Sequence, residues 1–223
     1  MKGNPTHPLN PEKSGDLTRS EESKQRILLA GTAIFAQKGL EGSRVDEIAD
    51  EAHINKRMIY HYFESKENLY VEVLRYNYTK LYTRGSSVIQ SGTDPEIVIK
   101  QAIREYFYYL AEHDEFVRLM SWEALNQEKY ANRVLPQLID PAEPVLRQFL
   151  QVGQQAGLIR KNIDIRHLLV SVNALCLVYF SRREMLQTFW KEDIMAPSML
   201  EERLTHIQDI IFNGILNYGE EEM

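Results

Sequence analysis

Residues 53–70 read HINKRMIYHYFESKENLY. The stretch sets Lys56, Arg57 and Lys66 among histidines and tyrosines and holds neither glycine nor proline. Asn55 carries a side-chain oxygen that suits the free amides of a helix start, so a helix is expected to open at Lys56. In that helix Ile59, Tyr62 and Phe63 share one face at the i, i+3, i+4 spacing. Lys56, Arg57, Tyr60 and His61 share the opposite face. One face asks for a core, and the other for a partner or for water.

The flanking residues supply the core. Upstream, Ile27, Ala30, Gly31, Ile34 and Phe35 form an apolar stripe at helical spacing. Lys38 followed by Gly39 gives a basic last turn and a helix-ending glycine. Ser43-Arg44-Val45-Asp46 reads as a capping box with Ser43 as N-cap. Val45, Ile48, Ala49 and Ala52 then form the buried side of a short second helix. A tight turn at His53-Ile54 separates it from the helix that opens at Lys56, which makes the pair a helix-turn-helix. Downstream, Ser65 is expected to cap a fourth helix bearing Leu69, Tyr70, Val73 and Leu74. A helix of this kind fits the DNA major groove and reaches base edges with its first residues. Arg57 and Lys56 suit guanine, and Tyr60 and His61 suit phosphates or a thymine methyl. Ser43 and Lys66, at the starts of flanking helices, are placed to hold phosphates.

Residues 24–70, and within them AGTAIFAQKGLEGSRVDEIADEAHINKRMIYHYFESKENLY, resemble the DNA-binding domain of the tetracycline-repressor (TetR) family. Phe35, Gly39, Ile48, Ala49, Ala52, Tyr60, Phe63, Lys66 and Leu69 fall where that family's pattern has them. The resemblance covers about a fifth of the chain. Three places depart from it. Arg44 stands where threonine is usual, His53 replaces a turn glycine, and Asn55-Lys56-Arg57 replaces Ser-x-Gly. Arg57 thus adds a long donor at the groove, and base preferences do not carry over. The resemblance implies a dimer on a palindromic double-stranded DNA operator, released by a small-molecule effector. The implied DNA contacts are Ser43, Arg44, Asn55, Lys56, Arg57, Tyr60, His61 and Lys66.

Charge is consistent with a local nucleic-acid surface only. The chain carries a net charge of −6, yet Met1–Lys66 holds ten Lys/Arg against ten Asp/Glu and is neutral. The acidic excess lies beyond it, so a DNA-binding surface must be a patch near the N-terminal end. Hydrophobic residues make up 43% of the chain, enough for a sizeable core. Cys176 is the only cysteine, which excludes an internal disulfide and any CxxC metal pair. The N-terminus has no apolar signal core, and the longest uncharged apolar stretch, residues 168–180, is too short for a bilayer. A soluble cytoplasmic protein is expected, with no membrane partner.

Residues 67–223 read as a second, helical domain. Asp94-Pro95 is an N-cap with proline at N1, opening a helix to about Glu112. Another covers Asp114 to about Asn126. Pro136, Pro141 and Pro144 punctuate a loop before a helix that ends near Gly157. Asp164 starts a long helix to about Trp190, and Ser198-Met199-Leu200-Glu201 is a capping box for a last helix to about Tyr218. The resulting fold class is all-α. A disordered tail covers residues 1–18, a three-helix DNA-binding domain covers 19–66, and a helical effector-binding and dimerisation domain covers 67–223.

In that second domain Leu200, Leu204, Ile207, Ile211 and Ile215 form a stripe that is either core or, as the resemblance implies, a dimer seam shared with the helix around residues 164–190. The aromatic stretch YFYYLAEHDEFVRLMSW, residues 106–122, is either core or the wall of a ligand cavity. Tyr78, Tyr109, Trp122 and Asn173 are the expected effector contacts. His113-Asp114-Glu115 sits at a helix junction and is not expected to bind metal, and no cofactor is expected. No GxSxG, Walker A, HExxH or GxGxxG pattern occurs, so no catalytic residues are expected. The leading function is a ligand-responsive transcriptional repressor. The alternative is an all-helical ligand-binding or scaffold protein with a vestigial helix-turn-helix.

Overall fold

The structure is a computed structural model and describes residues 11–91, 94–141 and 143–215. Among these there are eleven α-helices and no strand. The helices are α1 (Pro11–Gly42), α2 (Val45–Ala52), α3 (Lys56–Phe63), α4 (Lys66–Ser91), α5 (Pro95–Glu112), α6 (Asp114–Leu125), α7 (Leu135–Ile139), α8 (Glu143–Gln155), α9 (Ile165–Ser181), α10 (Arg183–Trp190) and α11 (Pro197–Ile215), with a 3-10 turn at Ala131–Arg133. The chain divides into two compact units, residues 1–73 and 74–223, with the boundary inside α4. The helix α1 opens at Pro11, within the segment expected to be a disordered tail; residues 1–10 lie outside the described residues.

In the first unit, Ile27, Ala30, Phe35 and Leu40 of α1 pack with Val45, Ile48, Ala49 and Ala52 of α2, Ile59 and Phe63 of α3, and Leu69, Tyr70 and Val73 of α4, all buried. Phe35 meets Tyr70 edge-on at 5.0 Å between ring centres. Gly31 allows the approach of α1 to α4, because a Cβ there would stand 2.9 Å from Val73 Cγ2. Gly39 breaks α1 with φ 66 and ψ 179, as its place after Lys38 predicts. Ser43 does not cap α2. Its hydroxyl is buried and donates to the Leu40 carbonyl at 2.8 Å, and the cap position belongs to Arg44, whose amide donates to the Glu47 carboxylate at 3.2 Å.

The second unit is built on α5, α6, α9 and α11. Phe107 packs on Phe180 at 4.9 Å and on Tyr179 at 6.0 Å. The Tyr179 hydroxyl donates to the Ile194 carbonyl at 2.7 Å. Arg104 and the Tyr108 hydroxyl both reach the Glu201 carboxylate at 2.6 Å, tying α5 to α11. Cys176 is buried in this core, and burial pushes its thiol up to about 12, so it behaves as a small hydrophobe. The buried Glu123 carboxylate accepts from the Tyr130 and Ala131 amides at 3.0 and 2.7 Å, holding the connection toward α7.

Three expected elements differ here. The prolines around 136–144 do not mark a plain loop, since Pro136 sits in the first turn of α7, a position that needs no amide. The helix from Asp164 does not run to Trp190. It ends at Ser181, where Arg182 (φ −110, ψ 19) leaves the helical region, and α10 follows. The last helix begins at Pro197, before the expected Ser198 cap, because proline at N1 needs no donor.

Candidate nucleic-acid interface and effector cavity

The helix-turn-helix forms as read. Asn55 caps α3, its Oδ1 accepting from the Arg57 amide at 2.9 Å. His53 ends α2 in the left-handed region, φ 51 and ψ 48, and its amide and that of Ile54 donate back to the Asp50 and Ala49 carbonyls. A β-carbon in that region costs about 1–2 kcal/mol. His53→Gly is therefore expected to raise stability by about 1 kcal/mol in urea titrations, with the turn unchanged. The turn also has a brace the sequence did not suggest. The Arg26 guanidinium donates from Nη2 to the Ala52 and His53 carbonyls at 2.6 and 2.7 Å, closing the end of α2.

On α3, Ile59 and Phe63 are buried, while Lys56, Arg57, Tyr60 and His61 are exposed together. The Arg57 side chain has no bonding partner among the described residues. Lys56 is held by Asp46 of α2 at 2.7 Å, an ion pair that raises its ammonium pKa and aims it along the turn. Arg44 is exposed at the start of α2. Lys38 pairs with Glu47 at 2.6 Å, which keeps that carboxylate below its usual range. After α3, the Ser65 amide donates to the Phe63 carbonyl at 2.7 Å across Glu64 (φ 65, ψ −44), a γ-turn that redirects the chain into α4. The Ser65 hydroxyl then caps α4 by accepting from the Asn68 amide at 3.0 Å.

Two expected phosphate contacts have their side chains engaged within the protein. The Ser43 side chain is 3% exposed and engaged inward. Lys66 points its ammonium at the Leu40 and Ser43 carbonyls, 2.8 and 3.1 Å away, where it staples the α1–α2 connection to α4. Each carbonyl would lose a charged donor in Lys66→Met. That change is expected to cost about 1–3 kcal/mol in denaturant titrations while leaving the salt slope of DNA binding unchanged.

The second unit holds a partly open cavity of about 450 Å³. Its wall is formed by Tyr78, Leu81, Tyr82 and Gly85 of α4, Val98, Ile99, Ala102, Ile103 and Tyr106 of α5, Met120 of α6, Leu135, Leu138 and Ile139 of α7, Leu146 and Leu150 of α8, and Ile165, Leu168, Leu169, Val172 and Asn173 of α9. None of these residues is charged. Asn173 Nδ2 donates to the Tyr106 hydroxyl at 2.7 Å. Burial raises the pKa of the Tyr78 and Tyr106 phenols, so both stay protonated near neutral pH.

Of the four expected effector contacts, Tyr78 and Asn173 line this space and Tyr109 and Trp122 do not. Tyr109 is core. It is 2% exposed, stacks on His113 at 4.1 Å, and donates its hydroxyl to the Asn77 carbonyl at 3.1 Å. Trp122 stands on α6, two residues past Met120, and takes no part in the wall. The stripe Leu200, Leu204, Ile207 and Ile211 is likewise protomer core rather than an open dimer seam, with Leu204 1% exposed; the side chain of Ile215 lies outside the described residues. Exposed apolar side chains occur on several elements, α9 to α11 among them. Val170 and Val178 of α9, Met185 and Phe189 of α10, and Ile210 of α11 are exposed, Phe189 by 81%.

Residues 27–73 match the profile of the bacterial regulatory proteins of the tetR family, and residues 95–211 match that of the tetracyclin repressor-like C-terminal domain. The chain belongs to the TetR family. Among its relatives, the HTH-type transcriptional repressor NicS of Pseudomonas putida is 31% identical over 88% of this chain and 94% of that protein. The HTH-type transcriptional repressor SCO4008 of Streptomyces coelicolor is 34% identical over 68% of this chain and 77% of its own length. The Bacillus subtilis regulator FadR in complex with stearoyl-CoA shares the fold, with TM-score 0.69, 18% identity, and coverage of 85% of this chain and 98% of that one. The family and these repressor relatives support a DNA-binding transcriptional repressor. Regulators of this family are generally not enzymes, bind DNA operators and small-molecule effectors, and typically dimerise. No helix among the described residues is long and apolar enough to cross a membrane.

Proposed function

We propose that this TetR-family chain represses transcription as a homodimer on a palindromic operator and is released by an effector held in the second unit. The observation that carries the DNA reading is the face of α3, where Arg57, Lys56, Tyr60 and His61 are exposed together while Ile59 and Phe63 anchor the helix. Arg57 and Lys56 stand in the first turn, where base edges come within reach. Asn55 fixes the angle of that turn, and Arg44 reaches the flanking backbone of the DNA.

The homodimer rests on the exposed apolar residues of α9 and α10. Val170, Ala174 and Val178 recur every four residues and so share one face of α9, and Met185 and Phe189 continue the exposed apolar surface on α10. Exposed apolar side chains gathered on neighbouring helices mark a candidate association face. Two recognition helices in one rigid dimer bind two half-sites together, which a single short helix does weakly.

The effector reading rests on the cavity. Its size suits a small molecule, and its apolar lining suits an apolar or aromatic one. FadR of the same fold has been seen with stearoyl-CoA, a ligand with a long apolar chain. Release then follows from linkage: an effector that prefers the conformation unable to fit the operator weakens DNA binding by the same factor in which DNA weakens effector binding. The setting is cytoplasmic, where the chain meets both DNA and metabolites.

Selection of bound fragments from sheared genomic DNA with purified protein tests this function. An inverted repeat is expected among the recovered sequences, with half-sites about one helical turn apart or a multiple of it. Recovery of fragments with no shared sequence would favour a helical ligand-binding protein whose helix-turn-helix is vestigial.

A further inference from the structure

We propose that Tyr106 and Asn173 form a single polar anchor in the cavity wall that selects effectors bearing a neutral carbonyl oxygen on an apolar body. The inference rests on the effector reading of the cavity and names the chemistry that reading leaves open.

The pair joins α5 to α9, with Asn173 Nδ2 donating to the Tyr106 hydroxyl oxygen at 2.7 Å. A phenol has one proton to give and lone pairs to receive. Because Asn173 fills an acceptor site, the Tyr106 proton is left to donate, and no described residue accepts it. Both residues line the cavity, whose remaining wall is aliphatic apart from Tyr78, Tyr82 and Met120. The half-buried donor faces an apolar wall that offers it no protein acceptor, and a ligand oxygen brought to it gains a hydrogen bond there.

Charge decides which oxygen. No lining residue is Lys, Arg, His, Asp or Glu. A carboxylate or phosphate held against this wall would give up part of its hydration with no opposite charge to replace it. A carbonyl oxygen accepts the same hydrogen bond with no ionic penalty. The Asn173 bond fixes the phenol oxygen in space, so the donor is in place before a ligand arrives. Tyr106 is thus a specificity-determining contact, and Asn173 is its positioning residue.

The test uses two probes of nearly the same shape, benzophenone and diphenylmethane, which differ by a carbonyl in place of a methylene. Their binding to the full chain is measured by calorimetry, alongside Tyr106→Phe and Ala102→Trp. Wild type is expected to bind benzophenone more tightly by roughly two- to tenfold, the worth of one hydrogen bond. Tyr106→Phe should erase that preference while leaving diphenylmethane affinity unchanged, and Ala102→Trp, which fills the cavity, should abolish binding of both. Equal affinities in wild type, or a Tyr106→Phe loss shared by both probes, would overturn the anchor while leaving the cavity as an effector site. Binding of neither probe, or binding that survives Ala102→Trp, would remove the cavity reading and the anchor with it. If Tyr106→Phe does not fold, Asn173→Leu serves in the same comparison: a partial loss confined to benzophenone supports the anchor, and an unchanged preference overturns it.

Discussion

Val178→Glu is expected to leave the protomer folded, to convert the dimer to a monomer, and to lower operator affinity by roughly 10²–10⁴-fold. The side chain is 53% exposed in the protomer, so a carboxylate there keeps its water until a second subunit covers it. Covering it then strands an unpaired charge in an apolar interface. Sedimentation and thermal melting separate the two effects. A variant that stays dimeric with unchanged affinity would place the interface on another surface. Leu204→Glu makes the contrast, since Leu204 is 1% exposed within the protomer and the same charge there should unfold the second unit.

Arg57→Ala carries the second large effect. Among the described residues the guanidinium has no intramolecular bond to lose, so stability should be unchanged. Operator binding should weaken by about 1–3 kcal/mol, with discrimination relaxed at one position of each half-site. Binding to random DNA should change far less. Equal losses on operator and random DNA would assign Arg57 to phosphate contact instead. Lys56 is predicted to matter less, because its ammonium must first share or leave Asp46, 2.7 Å away.

The local signals of helix ends were the most legible part of this sequence. Asn55, Ser65, Asp94 and Asp164 cap helices through side-chain oxygens, as short-range chemistry predicts. Ser43 misled for a physical reason. A hydroxyl can bond backward as well as forward, and burial turned it to Leu40, leaving Glu47 to satisfy the first amide of the box. The α3 face was readable because its two sides differ sharply in chemistry.

Function-bearing detail in the second unit was less legible. Periodicity shows that a face is apolar but not whether it meets its own chain, a second chain or a void. The α11 stripe met its own chain, while Val170, Val178, Met185 and Phe189 of α9 and α10 stood open. Tyr109 and Tyr106 lie three residues apart on α5, yet one fills the core and the other faces the cavity. Leu135 and Leu138 were hidden because prolines made their segment look like a loop. Lys66 and Arg26 brace carbonyls far away in sequence, and no pattern of neighbours announces that.

The most direct measurement is the affinity of the purified wild-type chain for its selected operator and for random duplex of equal length, at several salt concentrations. A sequence-reading α3 predicts a preference for the operator of at least about 10³-fold, with both affinities falling as salt rises. Equal affinity for the two duplexes at every salt concentration, or no binding to either, would contradict it.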